Sequence, residues 1–334
     1  MTARLSLMAA RDLAQRVLRA AGVSDDNALS VARALVAAEA DGLASHGLSR
    51  LPAYADQAKA GKVDGKAKPT LTESAPGALR IDARDGFAFP AIAAGLERAA
   101  TMAKQAGTVG VAVGNSHHFG VAAYHIEPLA ERGLVALAFG NSPAAIAPWG
   151  GAKPIFGTNP IAFACPCPDR APLVIDLSLS KVARGKIMVA AQKGEAIPGD
   201  WALDKDGKPT TDAKAALGGA MLAMGDAKGT ALVLMVELLA AALSASNFGY
   251  EASSFFDDKG PPPRVGQFFL VIDPQRFGGD AFLTRVGALV GAIQAQPGTR
   301  LPGDRRLEAR QKAQSGGISI TDNLHAELVS RAGG

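Results

Sequence analysis

The stretch Val109-Gly110-Val111-Ala112-Val113-Gly114-Asn115-Ser116-His117-His118-Phe119-Gly120 decides how the chain is read. Its first five residues are β-branched or small, as in a buried strand, and they run into a glycine-flanked loop carrying two histidines. A second segment, Ser45-His46-Gly47-Leu48-Ser49-Arg50, is of the same kind: a histidine among small residues and hydroxyls. Three of the five histidines lie in these two segments. A core histidine replaces one apolar residue of a periodic pattern, whereas these interrupt small-residue loops, so chemistry is expected here.

Outward from that strand the pattern is mixed. Strand-like residues 78–81 and a helix over 89–106 precede it, and a helix over 121–132 follows. Strands are then expected at 134–139, 155–156, 161–164 and 173–175, several of them ending on small polar residues such as Asn141-Ser142-Pro143 or Asp176-Leu177-Ser178. Loops at strand ends on a rigid sheet are a common way to build a ligand site. Before the strands, Leu5, Met8, Leu13, Val17 and Leu18 have helical spacing, Ser24 fits an N-cap for a helix to about residue 42, and Ser49 is placed to cap a third with Pro52 in its first turn. Beyond a turn-rich region at 198–212, helices are expected at 232–244 and 282–294, a strand at 267–272, and a last helix at 323–331 capped by Thr321. The class is α/β with a mixed sheet. Residues 1–67 form a helical N-terminal region packing with 280–334, and 68–279 form the sheet domain.

Composition narrows the function. With 334 residues and 48% hydrophobic content, the chain buries a large core without staples. Its net charge is +4, but no basic run of five occurs and aromatics are 5%, which argues against nucleic acid and suits small anionic ligands. Cys165 and Cys167 flank Pro166, too close for an ordinary disulfide, and are expected as free thiols in a reducing cytoplasm. Arg4, Arg11, Arg16 and Arg19 break up any signal-peptide core, and the apolar run 231–245 is interrupted by Glu237, so no membrane partner is expected.

Neither a Gly-x-Gly-x-x-Gly fingerprint after a strand nor a P-loop is present, so a nucleotide would be held in a non-Rossmann way. His46 next to Ser45, with Arg50 four residues on, joins an acid/base to a hydroxyl and a cation able to grip a carboxylate through two parallel hydrogen bonds. His117 and His118 lack a third ligand at suitable spacing, so no metal is expected. Arg305-Arg306 could meet a nucleotide 2′-phosphate or lie in solvent, and Lys186 and Lys228 carry the same two readings.

Ser45-His46-Gly47-x-x-Arg50, Asn115-Ser116-His117-His118-Phe119, Gly157-Thr158-Asn159-Pro160-Ile161-Ala162-Phe163, Asp176-Leu177-Ser178 and Pro209-Thr210-Thr211-Asp212 occur in that order. Lys228-Gly229, Val236-Glu237-Leu238-Leu239 and Leu301-Pro302-Gly303-Asp304-Arg305-Arg306 follow. Together they resemble the type 2 malate/L-lactate dehydrogenase family over nearly the whole chain. The resemblance implies a non-Rossmann, largely antiparallel seven-stranded sheet flanked by helices, a nicotinamide cofactor and a homodimer. Within the family, the double histidine, the run Ile161 to Pro166 and Val271-Ile272-Asp273-Pro274 are most similar to the Δ1-pyrroline-2-carboxylate/Δ1-piperideine-2-carboxylate reductases. That implies reduction of a cyclic imino acid with NADPH, or NADH, to L-proline or L-pipecolate. The alternatives are a dehydrogenase of a 2-hydroxy acid such as malate or lactate, and a catalytically inert nucleotide-binding protein.

Carried over by resemblance, Ser45, His46 and Lys186 are the catalytic group, and Arg50 and Thr158 hold substrate. The nucleotide falls to His118, Phe119, Gly120, Val121 and Ala122; Asp176, Leu177 and Ser178; Ala227 and Lys228; and Leu301, Pro302, Gly303, Asp304, Arg305, Arg306 and Leu307. The chain departs from the imine reductases at Lys186, where they carry an aspartate and hydroxyacid dehydrogenases more usually carry lysine. A lysine facing His46 would lower its pKa by like-charge repulsion.

Overall fold

A computed structural model describes residues 2–333. The period-two alternation in the opening stretch sends Val109, Val111 and Val113 into the core at 0% exposure. Their strand, Thr108–Ser116, lies inside a seven-stranded sheet of order Thr70–Ala75, Ala78–Asp82, Thr108–Ser116, Val265–Ile272, Val135–Gly140, Ile161–Cys165, Leu173–Leu177. Five of the six pairings are antiparallel; Ala78–Asp82 runs parallel to Thr108–Ser116, as a strand–helix–strand crossover through Ala88–Ala106 requires. The mixed, non-Rossmann sheet expected from the resemblance is therefore present.

One face of the sheet is covered by Ala88–Ala106 and Ala122–Glu131, whose alanines let helix and sheet approach closely around Val111, Ala136, Ala164 and Phe269. The other face receives the helix Asp226–Glu237 and the wide π-turn Leu238–Ala242, with Val233, Val236 and Ala240 fully buried. The backbones nearly touch there: a Cβ at Gly266 would sit 1.9 Å from the carbonyl oxygen of Ala240. Along the outer side of the same helix, Leu232, Leu234, Met235, Leu238 and Leu243 remain exposed.

The helices Leu7–Ala20, Asp25–Ala40 and Leu51–Lys59 form a second core with Ala313, Ile318, Ile320 and Leu328 from the far end of the chain. Strand Thr2–Leu5 pairs antiparallel with Ile318–Thr321, Arg4 opposite Ser319. A buried ion network reinforces this closure. Arg306 spans both oxygens of Glu127 at 2.7 and 2.8 Å, and Arg310 grips Asp41 at 2.7 and 2.9 Å and reaches Glu127 at 2.7 Å. Burial alone would push the Glu127 carboxyl up; the two guanidiniums outweigh it and hold it below its ordinary range.

Several expectations are corrected. The helix placed at 232–244 begins at Asp226, because Gly229 lets its first turn pack where a Cβ would lie 1.4 Å from the Met224 carbonyl oxygen. Ser49 does not cap; its hydroxyl donates to Ala44 O at 2.6 Å, and the helix starts after Arg50 with Pro52 in the first turn. Ile155-Phe156 makes a single bridge to Ile146 rather than a strand. Helices Arg184–Lys193 and Asp304–Gly316 and the strand pair at the chain's two ends were not expected.

Candidate active site

Ser45, His46 and Arg50 occupy two short 3₁₀ turns, Ala44–His46 and Leu48–Arg50, hinged at Gly47. The Glu39 carboxylate accepts the Leu48 N–H at 2.9 Å, and a Cβ at Gly47 would fall 2.1 Å from the same carboxylate oxygen. Glycine is thus what allows the turn to close on its anchor. Within the turn, Arg50 Nε donates to Ser45 O at 2.8 Å and its guanidinium lies 4.6 Å over the Phe256 ring. Among the described residues, the two terminal nitrogens of Arg50 have no hydrogen-bond partner, leaving a flat fork suited to a carboxylate.

His46 Nδ1 lies 3.0 Å from Ser45 Oγ, and its ring stacks on His118 at 5.7 Å. Burial, and then the positive charge of Arg50, lower its pKa to about 4, so it is a neutral imidazole at pH 7. The structure makes no contact between Lys186 and His46. Lys186 sits exposed on Arg184–Lys193, without a side-chain partner among the described residues, and the like charge acting on His46 is that of Arg50.

The double histidine splits into two roles. The strand runs on through Gly114-Asn115-Ser116, so His117 begins the turn and points inward, 1% exposed. Its Nε2 donates to Gln57 Oε1 at 2.6 Å, because the Gln57 amide nitrogen is already donating to Phe255 O and Asp257 O, each at 3.0 Å. His118 is half-buried and faces His46; burial holds it well below its ordinary pKa, and Tyr54, whose pKa burial raises, donates its hydroxyl to His118 Nδ1. His125 is a core residue, Nε2 donating to Phe119 O at 2.7 Å.

Tyr54, Gln57, Phe255 and Phe256 were missed from sequence, although two signals were available. Arg50, Tyr54 and Gln57 share one helix face by their spacing, and an adjacent aromatic pair in a proline- and glycine-rich loop is unusual in a chain with 5% aromatics.

The nucleotide segments converge at the end of Leu173–Leu177. Asp176 Oδ2 accepts Ala123 N–H at 2.8 Å at the start of Ala122–Glu131, and Ser178 Oγ reaches Thr158 O at 3.3 Å. Gly303, at φ 91°, packs on the Val174 carbonyl, and Asp304 closes its turn by accepting Leu301 N–H at 2.9 Å and pairing with Arg170 at 2.7 Å. Met224 N–H donates to Leu179 O at 2.8 Å, which brings Ala227 and Lys228 alongside. One side of Asp176 is open to solvent, yet protein crowds the rest, and that burial, against the pull of the Ala123 N–H, raises its carboxyl to about 6.

Not every carried-over residue offers a side chain. Phe119, stacked on His125 at 5.7 Å, and Val121, Ala122 and Leu301 are buried. The Arg306 guanidinium is committed to Glu127 and Asp41, whereas Arg305 and Lys228 are exposed and have no ion-pair partner among the described residues. Thr158 presents backbone, its N–H donating to Ser142 Oγ at 3.1 Å. A carboxylate that can accept from hydroxyls, with exposed cations on the flanking loops, fits a phosphate-bearing nucleotide with hydroxyls to bind. Among the described residues, no cluster of three or more histidine, cysteine or acidic side chains is placed to hold a metal, and no helix is long and apolar enough to cross a membrane.

A non-Rossmann mixed sheet with a histidine and an open arginine fork at its margin defines a class of nicotinamide-type oxidoreductases. Residues 5–329 match the malate/L-lactate dehydrogenase family, and the chain belongs to it. It is 53% identical to the (2R)-3-sulfolactate dehydrogenase (NADP(+)) of Chromohalobacter salexigens, over 99% of this chain and 100% of that protein. It is 44% identical to a Δ1-pyrroline-2-carboxylate/Δ1-piperideine-2-carboxylate reductase of Pseudomonas aeruginosa, over 98% of each. Among solved structures, the Δ1-piperideine-2-carboxylate reductase of Pseudomonas syringae pv. tomato superposes with a TM-score of 0.94 at 38% identity, covering 99% of this chain and 100% of that one.

Proposed function

We propose that this chain interconverts a 2-hydroxy acid carrying a second anionic group with the corresponding 2-oxo acid, using NADP(H), and that 3-sulfolactate is the substrate to test first. The observation that carries this reading is a neutral His46, held by Ser45, beside the open fork of Arg50. The sulfolactate dehydrogenase at 53% identity supports the substrate class and the choice of NADP.

In this reading Arg50 binds the C1 carboxylate through two parallel hydrogen bonds and turns the C2 hydroxyl toward His46. His46 Nδ1–H donates to Ser45 Oγ, leaving the Nε2 lone pair free to take the hydroxyl proton. The bound nicotinamide supplies the hydride acceptor, held by Asp176 to Ser178, the Leu301 to Leu307 turn, Lys228 and Arg305. Burial is the larger cause of the depressed His46 pKa and the Arg50 charge the smaller; a carboxylate bound at Arg50 offsets the second, so the imidazole keeps the proton better with substrate present than without.

The second reading is reduction of a cyclic imino acid, favoured by the reductase at 44% identity and by the same neutral His46, since a protonated imine brings its own proton. NADPH consumption is compared for 3-sulfopyruvate, oxaloacetate, pyruvate, Δ1-pyrroline-2-carboxylate and Δ1-piperideine-2-carboxylate, each repeated with NADH. Turnover of 3-sulfopyruvate well above the imines is the expected result. Turnover of the imines alone would replace the first reading with the second, and NADPH binding without any turnover would return the inert alternative.

A further inference from the structure

The lysine buried beneath the site has no part in the chemistry just described. Lys62, 2% exposed, sends its ammonium into the loop that follows Phe248, donating to Ser254 O at 2.7 Å, Lys259 O at 2.6 Å and Asp257 O at 3.0 Å. Three N–H donors meet three carbonyls, and the Asp257 carboxylate adds an ion pair, with Oδ1 at 3.5 Å, longer than any of the three carbonyl contacts. Gln57 holds the same loop from the next turn, through Phe255 O and Asp257 O, and His117 fixes Gln57 in turn.

The loop carries the only two adjacent phenylalanines between these anchors, and each meets a site residue. Phe255 packs on His118 at 5.0 Å and on His117 at 5.4 Å. Phe256 stays 55% exposed, with the Arg50 guanidinium over its face. Arg50 is thus aimed by two constraints, the Nε bond to Ser45 O and the Phe256 ring, and only the second depends on a distant part of the chain. Three carbonyl dipoles turned toward one point repel each other unless a cation sits between them. A buried ammonium gives less stability than a packed apolar side chain of its size would, so its value here lies in the geometry it imposes.

We propose that Lys62 is a positioning residue: by gathering the carbonyls of Ser254, Asp257 and Lys259, it sets Phe256 beneath Arg50 and so fixes the plane in which the substrate carboxylate is received. The inference rests on the reading that Arg50 binds that carboxylate. It assigns to the Phe255–Phe256 loop the control of substrate affinity, separate from the nucleotide and from proton transfer at His46.

The test uses full-length protein and whichever acid or imine of the panel above the wild type turns over. Lys62→Met and Phe256→Leu should each raise the substrate KM about tenfold, with the cofactor KM within about twofold and the pH profile of kcat unmoved. The double variant should be no worse than the poorer single one, because both changes release the same ring. A folded Lys62→Met with unchanged substrate KM, or losses that multiply in the double variant, would overturn the proposal. Should Lys62→Met not melt cooperatively, Lys62→Gln, which keeps N–H donors for the carbonyls but not the charge, takes its place: a raised substrate KM supports the proposal and an unchanged one overturns it. Arg50→Lys separates the two levels: an unchanged substrate KM there removes the carboxylate reading and this inference with it. A raised KM in Arg50→Lys with none in Phe256→Leu removes this inference only.

Discussion

Acid should destabilise this protein chiefly through its buried histidines. His117 and His125 are 1% and 7% exposed, and burial lowers their pKa values to about 3 and about 4. In the unfolded chain both return to about 6.5, so below that pH the unfolded state binds protons that the fold refuses. Stability from this source is complete above pH 6.5 and is lost as pH falls toward 4. Between pH 7.5 and 5.0 each histidine removes about 2 kcal/mol, together about 4 kcal/mol, from a total that for ordinary domains is roughly 5–15 kcal/mol. His46 and His118 act in the same direction. Asp176 opposes them, since a carboxyl raised to about 6 favours the fold as it protonates, but its open side limits that gain to about 1 kcal/mol or less. The net expectation is a loss of about 3 kcal/mol or more, read from urea unfolding at the two pH values. His125→Gln, which keeps a donor for Phe119 O, should remove about 2 kcal/mol of that dependence. A pH dependence below about 1 kcal/mol, or one unchanged in His125→Gln, would refute the reasoning.

Two further outcomes follow from buried contacts. Glu237, 2% exposed, accepts from Asn141 at 3.0 Å, Asn159 at 2.7 Å and the Gly249 N–H at 2.7 Å. Glu237→Leu should cost about 3–5 kcal/mol in urea unfolding, because the Gly249 N–H has no second partner and both amides lose one. Gly47→Ala puts a methyl against the Glu39 carboxylate and should lower kcat/KM by about 10- to 100-fold through displacement of His46, with a smaller change in melting temperature; steady-state kinetics beside a thermal melt check both halves.

Sequence was most informative where chemistry and local geometry coincide. Ser45, His46 and Arg50 lie within six residues, so purely local turns bring them together. His117 and His118 have the same local composition, and nothing in it distinguishes the one that faces Gln57 from the one that faces His46. That distinction comes from the helix Leu51–Lys59, far away in sequence. The helix Asp304–Gly316 escaped notice because it has almost no apolar periodicity; of its residues only Ala313 is buried, and ion pairs from Arg306 and Arg310 dock it instead. Nothing in the residues around Lys62 marks it, since its partners are carbonyls some 190 residues later.

The pairing of Arg4 with Ser319 has a consequence for biosynthesis. Ribosomes deliver roughly 5–20 residues per second, so the first strand emerges about 15–60 s before its partner exists. During that interval the three leading helices hold an apolar face that Ile318, Ile320 and Leu328 will later cover. The sheet domain is free to collapse as its strands appear, whereas the leading helices cannot complete their core until translation is nearly finished. A nascent chain stalled short of residue 318 should therefore be a client for chaperones rather than a folded fragment.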